Sequence, residues 1–290
     1  MKLIALLVRG HFHWGFSIRY PGTSAAAESY IVPPPTTLVG ALARGLAEVG
    51  ILPRTEVYYN GNNIVSTSEI LTPCIKVSTF RYDNNSISLP LPYMDPVKLI
   101  RAPYQRESED KSPIGFCGFG KVYSPSVSFE ILYIIDIELL RSLARLVTLD
   151  INHVVLGAYS ITMLGSKESL VSIDSVEVTD SVEVIYKPPI KEIELSFYCP
   201  AGIVEIEEFY RSYITIQPLP IPSKNWYTIY GKRTHTIPIK TKVFLIPVRR
   251  GSFLEPVRVE AKVRCTEKTV LYECRFLDKT IHIPWTGEET

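Results

Sequence analysis

The chain has 290 residues, is 46% hydrophobic, and carries 31 Lys plus Arg against 30 Asp plus Glu, a formal net charge of +1. That length and apolar content support a sizeable core in one large or two ordinary domains, and they exclude a disordered or low-complexity chain. A net charge near zero, if evenly spread, argues against a general polyanion binder, but the spread is uneven. Residues 126–210 hold 5 basic and 14 acidic side chains, a net −9, and residues 211–250 hold 8 basic and none acidic, a net +8.

Lys2 precedes an apolar run at 3–8 that ends before Arg9 and Gly10. It is shorter than the roughly 7–15 residues of a signal-peptide core, and no run reaches the roughly 18 apolar residues of a membrane span. The expectation is a soluble, cytoplasmic protein without a membrane partner. The run has strand length and reads as a strand buried on both faces. Residues 10–30 show no helical period and read as a strand exit and a long loop. Within it His11 and His13 face the same way on an extended chain, beside Trp14, Phe16, Arg19 and Tyr20. Two such histidines can ligate a metal, but no third ligand is visible nearby, and no cofactor is expected. Rings beside cations also suit single-stranded RNA, whose bases stack while phosphates meet Arg and Lys. The competing reading is a loop packed on its own domain.

Pro33, Pro34 and Pro35 then impose an extended approach, and Thr36 or Thr37 can cap a helix. Leu38, Leu42 and Leu46 at spacing four predict an amphipathic helix ended by Gly50. Its small residues, among them Gly40 and Gly45, would let it lie close against a sheet. Strands are predicted at 56–60 and 70–80. From 81 to 125 six prolines and the mixed-charge stretch 101–111 interrupt any period, which marks an insertion, a hairpin or arm on the core. Gly115, Gly118 and Gly120 read as a turn within it. A strand at 128–136, a helix at 137–149, a turn at 164–169 and a strand at 170–178 follow. The order β-α-β-(insertion)-β-α-β is the ferredoxin-like split βαβ. Beyond about residue 192 only short strand signals appear, so this part reads as all-β.

Catalytic signatures are absent. Gly165-Ser166-Lys167 resembles the end of a phosphate loop, but Ser166 separates the Gly from the Lys and Ser160 stands where a Gly is required. The five cysteines form no CxxC, which speaks against zinc ribbon and redox motifs and leaves buried free thiols. Arg211, Lys224, Lys232, Arg233, Lys240, Lys242, Arg249 and Arg250 interleave with Trp226, Tyr227 and Tyr230. This stretch suits nucleic acid, or docking on an acidic surface, the chain's own or a neighbour's. Low Gln and Asn content hints at a thermophilic source.

Two segments, YIVPPPTTLVGALA at 30–43 and LGSKESLV at 164–171, together resemble the Cas-five family of CRISPR-associated proteins in the RAMP superfamily. The pair is most similar to the archaeal subtype I-A branch. The resemblance implies an α+β chain: a ferredoxin-like (RRM-like) RAMP domain at 1–192, with an inserted thumb or β-hairpin at about 81–127, then a β-rich C-terminal domain at 193–290. It implies a non-catalytic subunit that caps the 5′ tag of the guide RNA (crRNA) in a Cascade complex. Its partners would be the crRNA 5′ tag, a Cas-seven backbone subunit and the large Cascade subunit, with target DNA reached only through the complex. Expected RNA contacts are His13, Trp14, Arg19 and Tyr20 beside the first strand, Arg81, Arg101, Tyr104, Arg106 and Lys111 in the insertion, and Ser166 and Lys167 in the turn. One branch of the family cuts precursor RNA without metal through Tyr, Lys and His side chains. Here Tyr20, His11, His13 and Lys167 stand in plausible regions, but no Lys-His pair follows the thumb, so binding without cleavage is favoured. A metal-independent endoribonuclease and a protein-interaction scaffold without RNA contact remain the alternatives.

Overall fold

The computed structural model describes residues 2–20, 28–53, 57–60, 63–83, 86, 88–100, 114–144, 149–188, 192–223, 228–229, 240–256 and 261–286. The apolar run at the N-terminus forms β1 (Leu3–Phe12), and Leu3 to Val8 are all buried. A strand apolar on both faces belongs in the middle of a sheet. β1 lies between β5 (Ser128–Asp136) and β6 (Val171–Thr179), and β2 (Ile75–Tyr82) pairs with β5. All three pairings are antiparallel, in spatial order β2-β5-β1-β6.

Helix α1 (Pro35–Glu48) buries Leu38, Leu42 and Leu46, as their spacing predicts. Its start differs from the expected threonine cap: Pro34 holds the cap position, Pro35 opens the first turn, and no side chain caps the helix. A proline is suited there because its fixed φ fits the helix and its missing N–H would have had no helical partner. Around the proline run and the first turn of α1, buried tyrosine hydroxyls donate to backbone carbonyls. Tyr82 donates to the Ile31 carbonyl at 2.6 Å, Tyr198 to Pro33 at 3.2 Å and Tyr133 to Leu38 at 2.8 Å.

The expected strand at 70–80 begins only at Ile75. Ser68–Leu71 is a helical turn, and Thr72–Cys74, with Pro73, is a 3-10 turn. The expected helix at 137–149 is shorter: α2 (Ile137–Leu143) starts at Asp136, whose carboxylate accepts from the Leu139 amide. A further helix unforeseen from the sequence, α3 (Ile151–Tyr159), starts at Asp150, which forms a capping box with His153. The small residues of α1 serve its contact with α3. A Cβ added at Gly45 would sit 2.0 Å from the Gly157 carbonyl oxygen, so the two backbones meet where neither has a side chain.

Between β2 and β5 the insertion is a hairpin of β3 (Leu91–Ile100) and β4 (Ile114–Tyr123), in register from Leu91↔Tyr123 to Ile100↔Ile114. Gly115, Gly118 and Gly120 lie along β4, which corrects the turn expected there. Gly15 and Phe16 pair with Tyr123 and Val122, so the exit from β1 is bonded to the hairpin's base.

Beyond residue 192 the described residues form short strands and one 3-10 turn, Glu208–Tyr213. Phe244, Leu254 and Trp285 from this part share one buried cluster with Leu38, Phe80 and Tyr133. A second, smaller cluster gathers Ile193, Leu195, Val263 and Leu271. Cys74, Cys199, Cys265 and Cys274 are buried free thiols.

Candidate nucleic-acid interface

Strand alternation puts every second side chain on one face. On the hairpin this aligns Phe119, Lys121 and Tyr123 of β4, and the register sets Tyr93 opposite Lys121 and Asp95 opposite Phe119. This face is flanked by two open clefts.

The first cleft, about 760 Å³, lies between the segment after β1, the face of α1, the hairpin and the 165–168 turn. Among the described residues its cations are Arg19, Arg44, Lys121 and Lys167, against one acid, Glu168. The Arg19 guanidinium sits over the Phe119 ring at 4.4 Å, a cation–π contact that holds an exposed cation in place. Ser166 and Lys167 enter from the turn, which is fixed by its own bonds. Ser169 donates its amide to the Ser166 carbonyl at 2.9 Å, the two hydroxyls lie 3.1 Å apart, and the Ser17 amide donates to the Ser169 hydroxyl at 3.2 Å. Gly165 has φ +120°, and an added Cβ would meet the Ile18 side chain at 2.6 Å, so only glycine fits this corner.

The second cleft, about 330 Å³, is lined by Trp14, Tyr93 and Tyr123, with Asp95, Lys121 and Glu168 shared or adjoining. Trp14 is 64% exposed, and Tyr93 and Tyr123 are each 43% exposed. The Trp14 and Tyr123 rings are near parallel, at 30° and 6.5 Å between centroids. Lys121 lies at the junction, 2.9 Å from carboxylate oxygens of both Asp95 and Glu168. Those carboxylates hold its ammonium above the ordinary lysine range, and Lys121 and the Tyr93 hydroxyl hold Asp95 below the ordinary carboxylate range.

The structure thus gathers Arg19, Ser166 and Lys167 in one cleft, with Trp14 in its neighbour. The other expected contacts are placed differently. His13 is exposed beside β6, its Nε2 2.9 Å from the Ser172 hydroxyl, and His11 lies 3.0 Å from Asp174. Among the described residues no group of three or more His, Cys, Asp or Glu side chains is arranged to hold a metal. Tyr20 packs on Tyr30 at 4.2 Å and accepts a hydrogen bond from the Gln217 amide. Arg81 is bound to the buried Glu130 at 2.6 Å and lies over the Phe197 ring, so its charge is used inside the fold. Arg101, Tyr104, Arg106 and Lys111 lie outside the described residues.

Sequence reasoning missed Arg44, Phe119, Lys121, Tyr93 and Tyr123. A period-two reading of 119–123, with aromatic, basic and aromatic residues alternating, would have found three of them.

The basic stretch at 211–250 is described in part. Arg249 pairs with Glu255 at 3.7 Å, Arg250 with Glu28 at 2.9 Å, and Lys242 donates to the Thr286 hydroxyl at 3.1 Å. The acidic middle meets other cations: Glu130 pairs with Arg9, Arg81 and Lys279, Glu183 with Arg275, and Glu192 and Glu207 with Arg264. Arg249 and Arg250 are therefore paired elsewhere than on the chain's own acidic block. Lys224, Trp226, Tyr227, Tyr230, Lys232 and Arg233 lie outside the described residues.

No protein-family model matches the chain. Its fold is similar to that of a CRISPR protein from Archaeoglobus fulgidus, with a TM-score of 0.52 and 17% identity over 96% of this chain and 98% of that one. The likeness defines a mixed α/β fold, mostly antiparallel, of the kind found in CRISPR proteins. In sequence, the chain is 31% identical over 234 residues to the CRISPR-associated protein Cas5 2 of Saccharolobus solfataricus, covering 78% of this chain and 77% of the relative. It is 28% identical over 183 residues to the CRISPR system aCascade subunit Cas5 1 of the same organism, covering 59% of this chain and 64% of the relative. The chain belongs to the Cas5 family of CRISPR-associated proteins. Among the described residues no helix is long and apolar enough to cross a membrane.

Proposed function

We propose that this chain is a non-catalytic guide-RNA-binding subunit of a type I, Cascade-type complex. It holds the 5′ tag of the crRNA and joins a Cas-seven backbone to the large subunit. The observation that carries the RNA reading is the β4 face on which Phe119, Lys121 and Tyr123 connect a cationic cleft to an aromatic one. Phosphates suit the first and unstacked bases the second, which is the division of labour that single-stranded RNA requires. The membership in the Cas5 family and the aCascade relative support the assembly. The order of elements, with the sheet in order β2-β5-β1-β6, supports a ferredoxin-like RAMP domain in which the β3–β4 hairpin is the thumb.

The test is binding of labelled repeat-derived RNA to the purified chain over a salt series, with crosslinked peptides mapped. Expected are crosslinks in 14–19, 119–123 and 165–168 and a steep fall of affinity with salt. Failure to bind RNA, or crosslinks elsewhere, would refute the reading. Incubation of the same RNA in EDTA tests the non-catalytic assignment: a discrete product ending in a 2′,3′-cyclic phosphate would reverse it.

A further inference from the structure

Three large aromatic side chains exposed around one small cleft are costly to leave in water, and none of the described residues covers them. The cleft also has a polar component. Asp95, its carboxylate held in the ionised form and so an acceptor only, lines the cleft together with the rings, beside the Lys121 ammonium, a donor only. A flat ligand that stacks on Trp14 and Tyr123 therefore meets one acceptor group and one donor group at its edge.

We infer that the Trp14–Tyr93–Tyr123 cleft is a subsite for a single unpaired guanine base, read by Asp95 and Lys121. This rests on the RNA-binding reading above and adds base identity to it. Guanine presents two adjacent donors, N1–H and the N2 amine, to a carboxylate, and the neighbouring O6 acceptor to an ammonium. Adenine and cytosine each offer one donor group, the exocyclic amine, at that edge, and uracil sets its single N3–H between two carbonyls. The Asp95 carboxylate has about four acceptor positions. Lys121 and Tyr93 take two of them, which leaves two for the base. The cationic cleft begins at the same Lys121, so the strand's phosphates have a continuous path away from the stacked base.

The experiment uses the full chain and RNA octamers of uracil with one central guanine, adenine, cytosine or inosine, plus the all-uracil strand. Affinity is read by anisotropy and base stacking by quenching of Trp14 fluorescence, with Trp14→Phe as the spectroscopic control. The guanine octamer is expected to bind about tenfold tighter than all-uracil, and inosine, which lacks the N2 amine, is expected to lose most of that gain. Asp95→Asn is expected to abolish the preference, so that the guanine and all-uracil octamers bind alike. Equal affinity for all five strands, or a preference unchanged by inosine and by Asp95→Asn, overturns the inference while RNA binding itself stands. If no octamer binds, both the inference and the RNA reading fail.

Discussion

Arg9 and Glu130 face each other across β1 and β5, with Nε and Oε1 at 2.8 Å, and Glu130 is the buried centre of a cluster that also holds Arg81 and Lys279. Three cations converge on one carboxylate. Two come from the sheet, and Lys279 lies between the two last strands of the chain. The cluster therefore ties the C-terminal part to the central sheet. Burial disfavours the Glu130 carboxylate, but the attraction of Arg81 and the bonds from Arg9 and Lys279 outweigh it and hold its pKa below the ordinary glutamate range.

Removing that carboxylate takes the ion-pair partner from the partly buried Arg81 and Lys279, while Arg9 keeps Glu177. Glu130→Ala is expected to destabilise the fold by about 3–5 kcal/mol at pH 7, measured by denaturant unfolding. Because the folded pKa lies below the unfolded value of about 4.3, the stabilisation is complete above about pH 5 and is lost as pH falls through the folded value. The stability difference between wild type and Glu130→Gln should therefore shrink as pH drops from about 5 to 3. A difference that stays constant over that range would show that the ionised carboxylate is not the source.

Arg19 and Lys167 are exposed in the cationic cleft, whereas Arg81 is bound to Glu130. Arg19→Ala and Lys167→Ala should each weaken RNA binding and reduce the salt slope by about 1, with little change in Tm. Arg81→Ala should lower Tm and leave the salt slope of the folded fraction unchanged. The reverse pattern would refute the division between interface and interior.

Glu168 reaches Lys121 from the 165–168 turn, and its side chain is 72% exposed. Among the described residues it is the one acid lining the cationic cleft, so it competes with a phosphate for the same ammonium. Glu168→Gln is expected to tighten RNA binding about two- to fivefold at low salt, and less at high salt, where screening removes the difference. Weaker binding by the variant would instead make the Lys121–Glu168 bridge a positioning contact.

The contact between α1 and α3 is made by Gly45 and Gly157. Gly45→Leu should push the helices apart and cost about 1–3 kcal/mol, read as a lowered unfolding midpoint. An unchanged midpoint would mean that the helices shift without loss of packing.

Much of this architecture is legible in the residues. The unbroken apolar run at 3–8 marks a central strand, the Leu38–Leu42–Leu46 spacing marks α1, and the prolines between 90 and 125 mark an insertion. What stayed hidden depends on partners distant in sequence. Tyr20 and Arg81 carry the side chains of an RNA interface, yet Gln217 and Glu130 claim them, and neither partner is near in the chain. Lys121 falls in the insertion, where the sequence shows no period, and only the folded hairpin and the 165–168 turn bring Asp95 and Glu168 to it. Asp150 and His153 form a capping box from a histidine where glutamate or glutamine is usual, which left α3 unrecognised.

The β3–β4 register carries a consequence for tolerance to change. Side chains alternate with period two, so parity matters more than length in this hairpin. One residue inserted between Phe119 and Tyr123 would rotate Lys121 and one aromatic to the opposite face and separate the two clefts. Two residues added beyond Ile100, at the far end from the clefts, would leave every contact in place. The hairpin can therefore vary in reach from one relative to another while its first five residue pairs, Leu91↔Tyr123 to Asp95↔Phe119, keep a fixed phase.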